Sequence, residues 1–183
     1  MARVSLIDEQ DHPELSELVA RIRGARGGRL LNLYRALLHS APLAEAWLAF
    51  NNVARRDTVL DDASRELVIL RVAFLNRTDY VFQIHASRYA IDAGLTAEQV
   101  ADVADWRAST RFSPRQRAVL AYGDAMTLEV DVADAVVNEL RAHFDEREIV
   151  ELTVLVGAYN MHTRVLKALD VDPEEPVTSG EKA

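Results

Sequence analysis

Two residues with the chemistry of a proton relay stand on neighbouring predicted helices. Glu66 lies in a predicted helix over residues 63–75 that is otherwise largely apolar, and His85 lies in the next predicted helix, over residues 79–93. A short turn between two helices makes a hairpin, which can bring Glu66 opposite His85. A carboxylate that holds an imidazole fixes its tautomer and raises its basicity. Such a pair is suited to act as a general base.

The same residues also allow a structural interpretation. Glu66 can pair with a basic neighbour such as Arg65 or Arg88, and His85 can be a core histidine with satisfied hydrogen bonds. Tyr80 can either donate a hydrogen bond to a substrate oxygen or fill the junction between the two helices. Spacing alone leaves these alternatives open.

Polar residues late in the final predicted helix are further candidates. Tyr159 and Asn160 interrupt a segment that has almost no polar face, and buried polar groups need partners. Polar groups inserted into such a helix often line a pocket. Tyr80, Phe82 and Tyr89 flank His85 in the sequence, and Phe82 is a further candidate for substrate binding.

The elements that must position these residues are all predicted to be helical. Thr96 with Gln99 has the spacing of a capping box, and Ser113 before a proline is typical of a helix start. Gly94 stands where a left-handed C-terminal cap belongs. The final helix, from about Asp145, is apolar all round, which indicates the centre of a bundle or an oligomer. No alternating strand is found, so the predicted fold class is all-α.

Composition excludes several classes of function. The 183 residues include no cysteine, so thiolate nucleophiles, disulfides and cysteine-bound zinc are excluded. With 21 basic and 29 acidic residues the net charge is −8, which disfavours binding to nucleic acid or to an anionic membrane surface. The five histidines include no pair spaced as metal ligands, so no metal site is predicted. Without a signal or membrane segment, a cytoplasmic location is expected.

The segment SRELVILRVAFLNRTDYVFQIHASRYAIDAGLTAEQV, residues 64–100, resembles the core of the carboxymuconolactone decarboxylase family. Its AhpD-like alkylhydroperoxidase branch has a Glu, eleven residues, a Cys, two residues, a Cys, three residues and a His. Glu66 and His85 are separated by the 19 positions that this motif requires. The two cysteine positions fall on Thr78 and Val81.

Three further segments, residues 30–47, 112–127 and 149–171, are similar to a longer, cysteine-free branch of the family. The resemblance implies an AhpD-like bundle of about eight or nine helices over residues 28–171. An N-terminal helix and flexible joint (1–27) precede it, and a disordered tail (172–183) follows. It also implies a homo-oligomer, as a dimer, trimer or hexamer.

The resemblance leads to a divided functional prediction. The relay residues are present and the thiols are absent, so hydroperoxide reduction by a dithiol is rejected. We expect proton-transfer chemistry without cofactor (decarboxylation, lactone opening or isomerisation) on a small carboxylate or cyclic metabolite. His85 would be the base, oriented by Glu66, and Tyr80 would donate to the oxyanion. The predicted substrate-binding residues are Tyr159, Asn160, Phe82 and Thr78. The alternative is a non-catalytic small-molecule binding or scaffold module.

Overall fold

The computed structural model describes residues 2–174, and its regular secondary structure there is entirely helical. The all-α prediction is confirmed. The helices are α1 (Ser16–Ala25), α2 (Asn32–Leu37), α3 (Ala41–Arg56), α4 (Asp62–Leu75), α5 (Asp79–Ile84), α6 (Ala90–Asp92), α7 (Ala97–Asp102), α8 (Pro114–Asp124), α9 (Asp134–Arg141) and α10 (Glu146–Leu169). Residues 175–183 of the predicted tail lie outside the described part of the chain.

Two helix starts are formed by the capping boxes that the sequence predicts. The Gln99 amide N–H donates to Thr96 Oγ1 at 3.1 Å, and Gln99 Oε1 accepts from the Thr96 N–H at 3.0 Å. Ser113 and Gln116 make the same pair of bonds at the start of α8. Each box satisfies two amide groups that a helix start leaves without partners.

Helix α4 ends in a Schellman motif that carries an arginine at its left-handed position. The Thr78 N–H donates to Ala73 O at 2.9 Å and the Arg77 N–H to Phe74 O at 3.0 Å, while Arg77 has a φ of 53°. The same pattern ends α6, where Gly94 takes the left-handed position with a φ of 89°, as predicted. The tight turn after α4 brings the chain directly into α5.

By its internal contacts the chain divides into two compact units, of which residues 50–167 form the larger. In this unit α4 packs most extensively against α8. The approach is close, because Val68 Cγ2 lies 3.0 Å from the position that a side-chain carbon on Gly123 would occupy. The core beside α4 consists of nine buried residues, of which the first two belong to α4 itself: Leu67, Leu70, Ala90, Leu95, Val100, Val103, Trp106, Phe112 and Leu120.

Residues 2–49 and 168–174 belong to the smaller unit. Within it the C-terminal segment pairs with the N-terminal one, since the Arg3 N–H donates to Leu169 O at 2.8 Å. Glu174 Oε1 accepts from the Asn32 N–H at 2.7 Å. The boundary between residues 27 and 28 that the sequence analysis proposes remains a prediction.

Helix α10 is buried on one side and exposed on the other. Leu152, Leu155 and Tyr159 are buried, whereas Val150, Val154 and Met161 are 61%, 43% and 40% exposed. The apolar character all round the helix therefore does not reflect complete burial within the single chain. No helix within residues 2–174 is both long and apolar enough to cross a membrane.

Candidate active site

The structure brings Glu66 and His85 into direct contact. Glu66 Oε2 accepts a hydrogen bond from His85 Nδ1 at 2.6 Å, and each residue is 5% exposed. The two arginines that could have paired with Glu66 have other partners. Arg65 donates to Asp62, and Arg88 pairs with an aspartate one turn further along. The carboxylate–imidazole pair that the family resemblance implies is therefore present.

A π-helical turn, His85–Tyr89, separates α5 from α6 and positions the imidazole. The Ala90 N–H bonds to His85 O, so five residues occupy this turn instead of four. Such insertions are rare and frequently occur at functional sites. Here the turn begins at the histidine that meets Glu66.

Two tyrosines enclose the imidazole. The Tyr159 hydroxyl lies 3.4 Å from His85 Nε2, and the two rings meet edge to face with centroids 5.5 Å apart. The Tyr89 ring is tilted by 48° against the imidazole at 5.3 Å. His162 stacks on the Tyr159 ring, with the two centroids 5.6 Å apart. The second imidazole nitrogen thus faces a phenol rather than a charge.

Burial keeps this histidine neutral near pH 7. Loss of solvation lowers the pKa of His85, Glu66 acts in the opposite direction, and the nearby charge of Arg55 lowers the pKa further. Because a carboxylate oxygen can only accept, Nδ1 carries the proton of the neutral ring and Nε2 keeps its lone pair. The unprotonated Nε2 has the form that a general base requires.

Arg55, near the end of α3, is a site residue that the sequence analysis missed. Its guanidinium carbon lies 5.3 Å from the centroid of the Tyr89 ring. Interaction with Tyr159, and less strongly with Glu66 and Tyr89, raises the pKa of Arg55, although burial acts in the opposite direction. In the sequence, a basic residue in the last turn of a helix is ordinary, because it complements the helix dipole. No local signal therefore distinguishes Arg55.

Asn160 and Phe82, which the sequence predicts to bind substrate, make contacts away from the His85 imidazole. Asn160 donates to Thr127 Oγ1 and to Val156 O, both at 3.0 Å, and accepts from Asn76 Nδ2 at 2.9 Å. Its amide therefore connects α10 to the turn after α4 and to the π-helical turn Ala125–Glu129. Phe82 packs against the core beside α4. Their roles in substrate binding remain predictions.

The positions of the two motif cysteines are buried and carry no thiol. Thr78 is enclosed, and its hydroxyl donates to Asn76 O at 3.2 Å. Val81 is also buried, as is Tyr80 between them. No group of three or more histidine, aspartate or glutamate residues is arranged to hold a metal ion within residues 2–174.

Residues 41–125 match the carboxymuconolactone decarboxylase family. This match agrees with the family resemblance predicted from the sequence, covers a little less than half of the chain and includes both Glu66 and His85. Among sequence relatives, the uncharacterized protein YnjA of Escherichia coli (strain K12) is 34% identical over 118 residues. That alignment covers 64% of this chain and 64% of YnjA, somewhat less than two thirds of each.

Solved structures show the same fold. A peroxidase-related protein from Silicibacter sp. TM1040 matches with a TM-score of 0.80 at 21% identity, covering 95% of this chain and 92% of that one. A peroxidase-related protein with an alkylhydroperoxidase AhpD core, from Ralstonia eutropha JMP134, matches with a TM-score of 0.76 at 18% identity, covering 95% and 93%. These likenesses confirm the AhpD-like helical fold.

Proposed function

We propose that this chain, with its carboxymuconolactone decarboxylase-family region, is a proton-transfer enzyme that needs no cofactor. Its substrate would be a small carboxylate or cyclic metabolite, and the reaction a decarboxylation, lactone opening or isomerisation. The observation that carries this proposal is the 2.6 Å contact between Glu66 and His85 Nδ1. That contact leaves Nε2 as the basic atom, on the side of Tyr159.

The simplest step for this arrangement is removal of a proton next to a carbonyl group. The substrate C–H bond breaks, the proton goes to His85 Nε2, and the electron pair moves into the carbonyl to give an enolate. Glu66 stabilises the imidazolium that forms. Where the substrate carries a β,γ double bond, the enolate is a dienolate, the proton returns to its γ-carbon and the double bond moves to the α,β position, which completes an isomerisation. The Tyr159 hydroxyl is close enough to Nε2 to donate to the substrate oxygen, a role that the sequence analysis gave to Tyr80.

We further propose that hydroperoxide reductase activity is absent. The Glu66–His85 pair retains the geometry of a relay, but Thr78 and Val81 occupy the positions of the thiols that the relay would serve. A threonine hydroxyl has a far higher pKa than a thiol, and a valine side chain has no reactive atom. The relay would therefore act on a carbon acid of the substrate instead of on a cysteine.

A non-catalytic binding module is the second candidate, and the burial of the pair favours it. Only 5% of Glu66 and of His85 is exposed, so a substrate must reach Nε2 past the residues that cover it. A binding protein needs no such access to the imidazole. The two functions differ in whether proton exchange depends on His85.

The deciding experiment measures hydrogen–deuterium exchange and turnover of small lactones and β-keto acids by NMR in D₂O. The wild type is expected to accelerate at least one of these reactions, and His85→Gln to lower that rate by about 10²–10⁴-fold. His143→Gln, at a histidine that contacts Glu139, is the matched control and should retain the wild-type rate. Binding without any His85-dependent exchange would favour the second candidate.

We also propose that the chain acts as a homo-oligomer. Val150, Val154 and Met161 are spaced by four and seven residues, so they share one face of α10, and all three are exposed. Exposed apolar faces of this kind commonly mark association surfaces. Light scattering after size-exclusion chromatography should give a multiple of 20.4 kDa, and the mass of one chain would contradict the proposal.

A further inference from the structure

The guanidinium of Arg55 has unused hydrogen-bonding capacity beside the buried pair. Its Nε is buried without a hydrogen-bond partner, and none of the ion pairs within residues 2–174 includes Arg55. The nearby Glu66 carboxylate is engaged by His85 instead. A buried N–H donor of a charged group is costly to leave without an acceptor. It therefore marks a position at which an acceptor is missing from the protein itself.

Arg55 and Tyr89 are the more exposed residues around His85. His85 and Tyr159 are buried, whereas Arg55 is half-buried and Tyr89, on which it stacks, is 39% exposed. Stacking on an aromatic face holds the plane of a guanidinium while leaving its edge for other partners.

We propose that Arg55 is the anion-binding residue of this site and that it selects ligands carrying a carboxylate. The planar guanidinium can hold a carboxylate through two parallel N–H donors, with more geometric specificity than a lysine provides. The inference rests on the proposed function in taking His85 as the reacting group, and it adds the residue that recognises the charge. It also holds for a binding module, because it requires no turnover.

Matched pairs of small acids and amides test this inference: acetate with acetamide, benzoate with benzamide, and 2-furoate with 2-furamide. Binding is followed through the ¹⁵N resonances of the His85 ring, which are assigned with His85→Gln. At least one acid should shift these resonances saturably, and its neutral amide should bind at least about tenfold more weakly, since hydrogen bonds to charged groups carry that difference. If no acid shifts the resonances, or the amides bind equally well, the inference is wrong.

Variants separate charge recognition from a structural role. Arg55→Gln should weaken the acid by about 10–100-fold while hardly changing the amide, and Arg55→Lys should recover only part of the loss. Arg88→Gln removes an exposed positive charge nearby and is the control, with wild-type affinity expected. An equal loss for acid and amide in Arg55→Gln would show that Arg55 only supports the fold of the site, and would overturn the proposal.

Glu66→Gln should change acid binding in the opposite direction. Removing the negative charge near Arg55 leaves an anionic ligand with less repulsion, so the acid should bind several-fold more tightly. If Arg55-dependent binding persists but no His85-dependent exchange is found, the proposed enzyme function fails while this inference stands. If His85-dependent exchange is found but neither the Arg55 substitutions nor the charge of the ligand changes binding, this inference fails while the proposed enzyme function stands.

Discussion

Helix α4 carries two buried charged residues, Glu66 and Arg71, and the protein uses them differently. The Arg71 guanidinium and the Asp124 carboxylate form a pair with contacts of 2.5 and 3.2 Å. The same carboxylate accepts from Trp106 Nε1 at 3.1 Å and from Arg107 at 2.5 Å. Four donors therefore converge on Asp124.

Arg71 also donates hydrogen bonds to backbone carbonyl groups. Its Nη1 donates to Val103 O at 2.8 Å and to Ala104 O at 2.9 Å. The pair thus ties α4, α8 and the segment after α7 together, and its members are only 7% and 5% exposed. Four of the five guanidinium N–H groups of Arg71 are therefore engaged, which leaves this buried ion pair little to offer a ligand.

The Glu66–His85 pair is the opposite case. Glu66 accepts from one donor in the described part of the chain, and His85 Nε2 has only a long contact of 3.4 Å with the Tyr159 hydroxyl. The two pairs share a helix and a degree of burial, so burial does not distinguish structure from chemistry here. The distinction lies in the hydrogen-bonding capacity that each pair leaves unused.

The largest expected effect is that of Asp124→Asn on stability. An amide can replace a carboxylate in shape, but its NH₂ group would face donors and Arg71 would lose its counter-charge. Breaking a buried pair in this way costs about 3–5 kcal/mol. Urea denaturation measures it, with Asp92→Asn as an exposed control that should leave the midpoint unchanged. A wild-type midpoint for Asp124→Asn would show that the network does not hold the fold.

Glu66→Gln should have a much smaller effect on stability, of about 1 kcal/mol or less. The Gln carbonyl can still accept from His85 Nδ1, and the variant also removes a buried charge whose desolvation opposes folding. The same denaturation experiment gives the answer. A loss as large as that of Asp124→Asn would mean that the two pairs are equivalent supports, and the contrast between them would be lost.

Acid should destabilise the protein through His85 before the carboxylates titrate. The pKa of folded His85 is lowered by burial from its ordinary value near 6.5, so below that pH the unfolded chain binds more protons than the folded one. The contribution of His85 to the free energy of unfolding is therefore fully present above about pH 6.5, and it is lost as the pH falls below that value. Urea midpoints at pH 7.5, 6.5 and 5.5 should decrease less in His85→Gln than in the wild type. Parallel curves would contradict the assignment.

A feature of these regions can be predicted from the sequence when the residues that form it lie close together along the chain. The capping boxes at Thr96 and Ser113 depend on residues three positions apart, so the sequence alone predicts them. The contact between Glu66 and His85 follows from one hairpin and a motif spacing. Arg55 and Asp124 reach their partners only through packing between helices distant in sequence, and no local pattern marks either of them.

The same reasoning explains the residues around His85. Tyr80, Phe82 and Tyr89 flank it in sequence, but Tyr80 is five positions away, which a helix places on a different face. Tyr89, four positions away, shares the face through the π-helical turn, and Tyr159 comes from α10. The contact with Tyr89 follows from helical spacing, whereas the contact with Tyr159 depends on packing between helices distant in sequence. The backbone insertion that sets this phase has no recognised sequence signal here.

The smallest expected effect belongs to Arg77→Gly, in the turn that joins the helices of the Glu66–His85 pair. Arg77 has a φ of 53°, in a Schellman motif whose counterpart after α6 uses Gly94. A left-handed conformation costs a non-glycine residue about 1–2 kcal/mol, and the greater freedom of unfolded glycine offsets part of this gain. The variant should therefore be more stable by about 0.5–1 kcal/mol in urea denaturation, with unchanged His85-dependent exchange. If exchange changed as well, the turn would act on the geometry of the pair, and stability and function in this hairpin would not be separable.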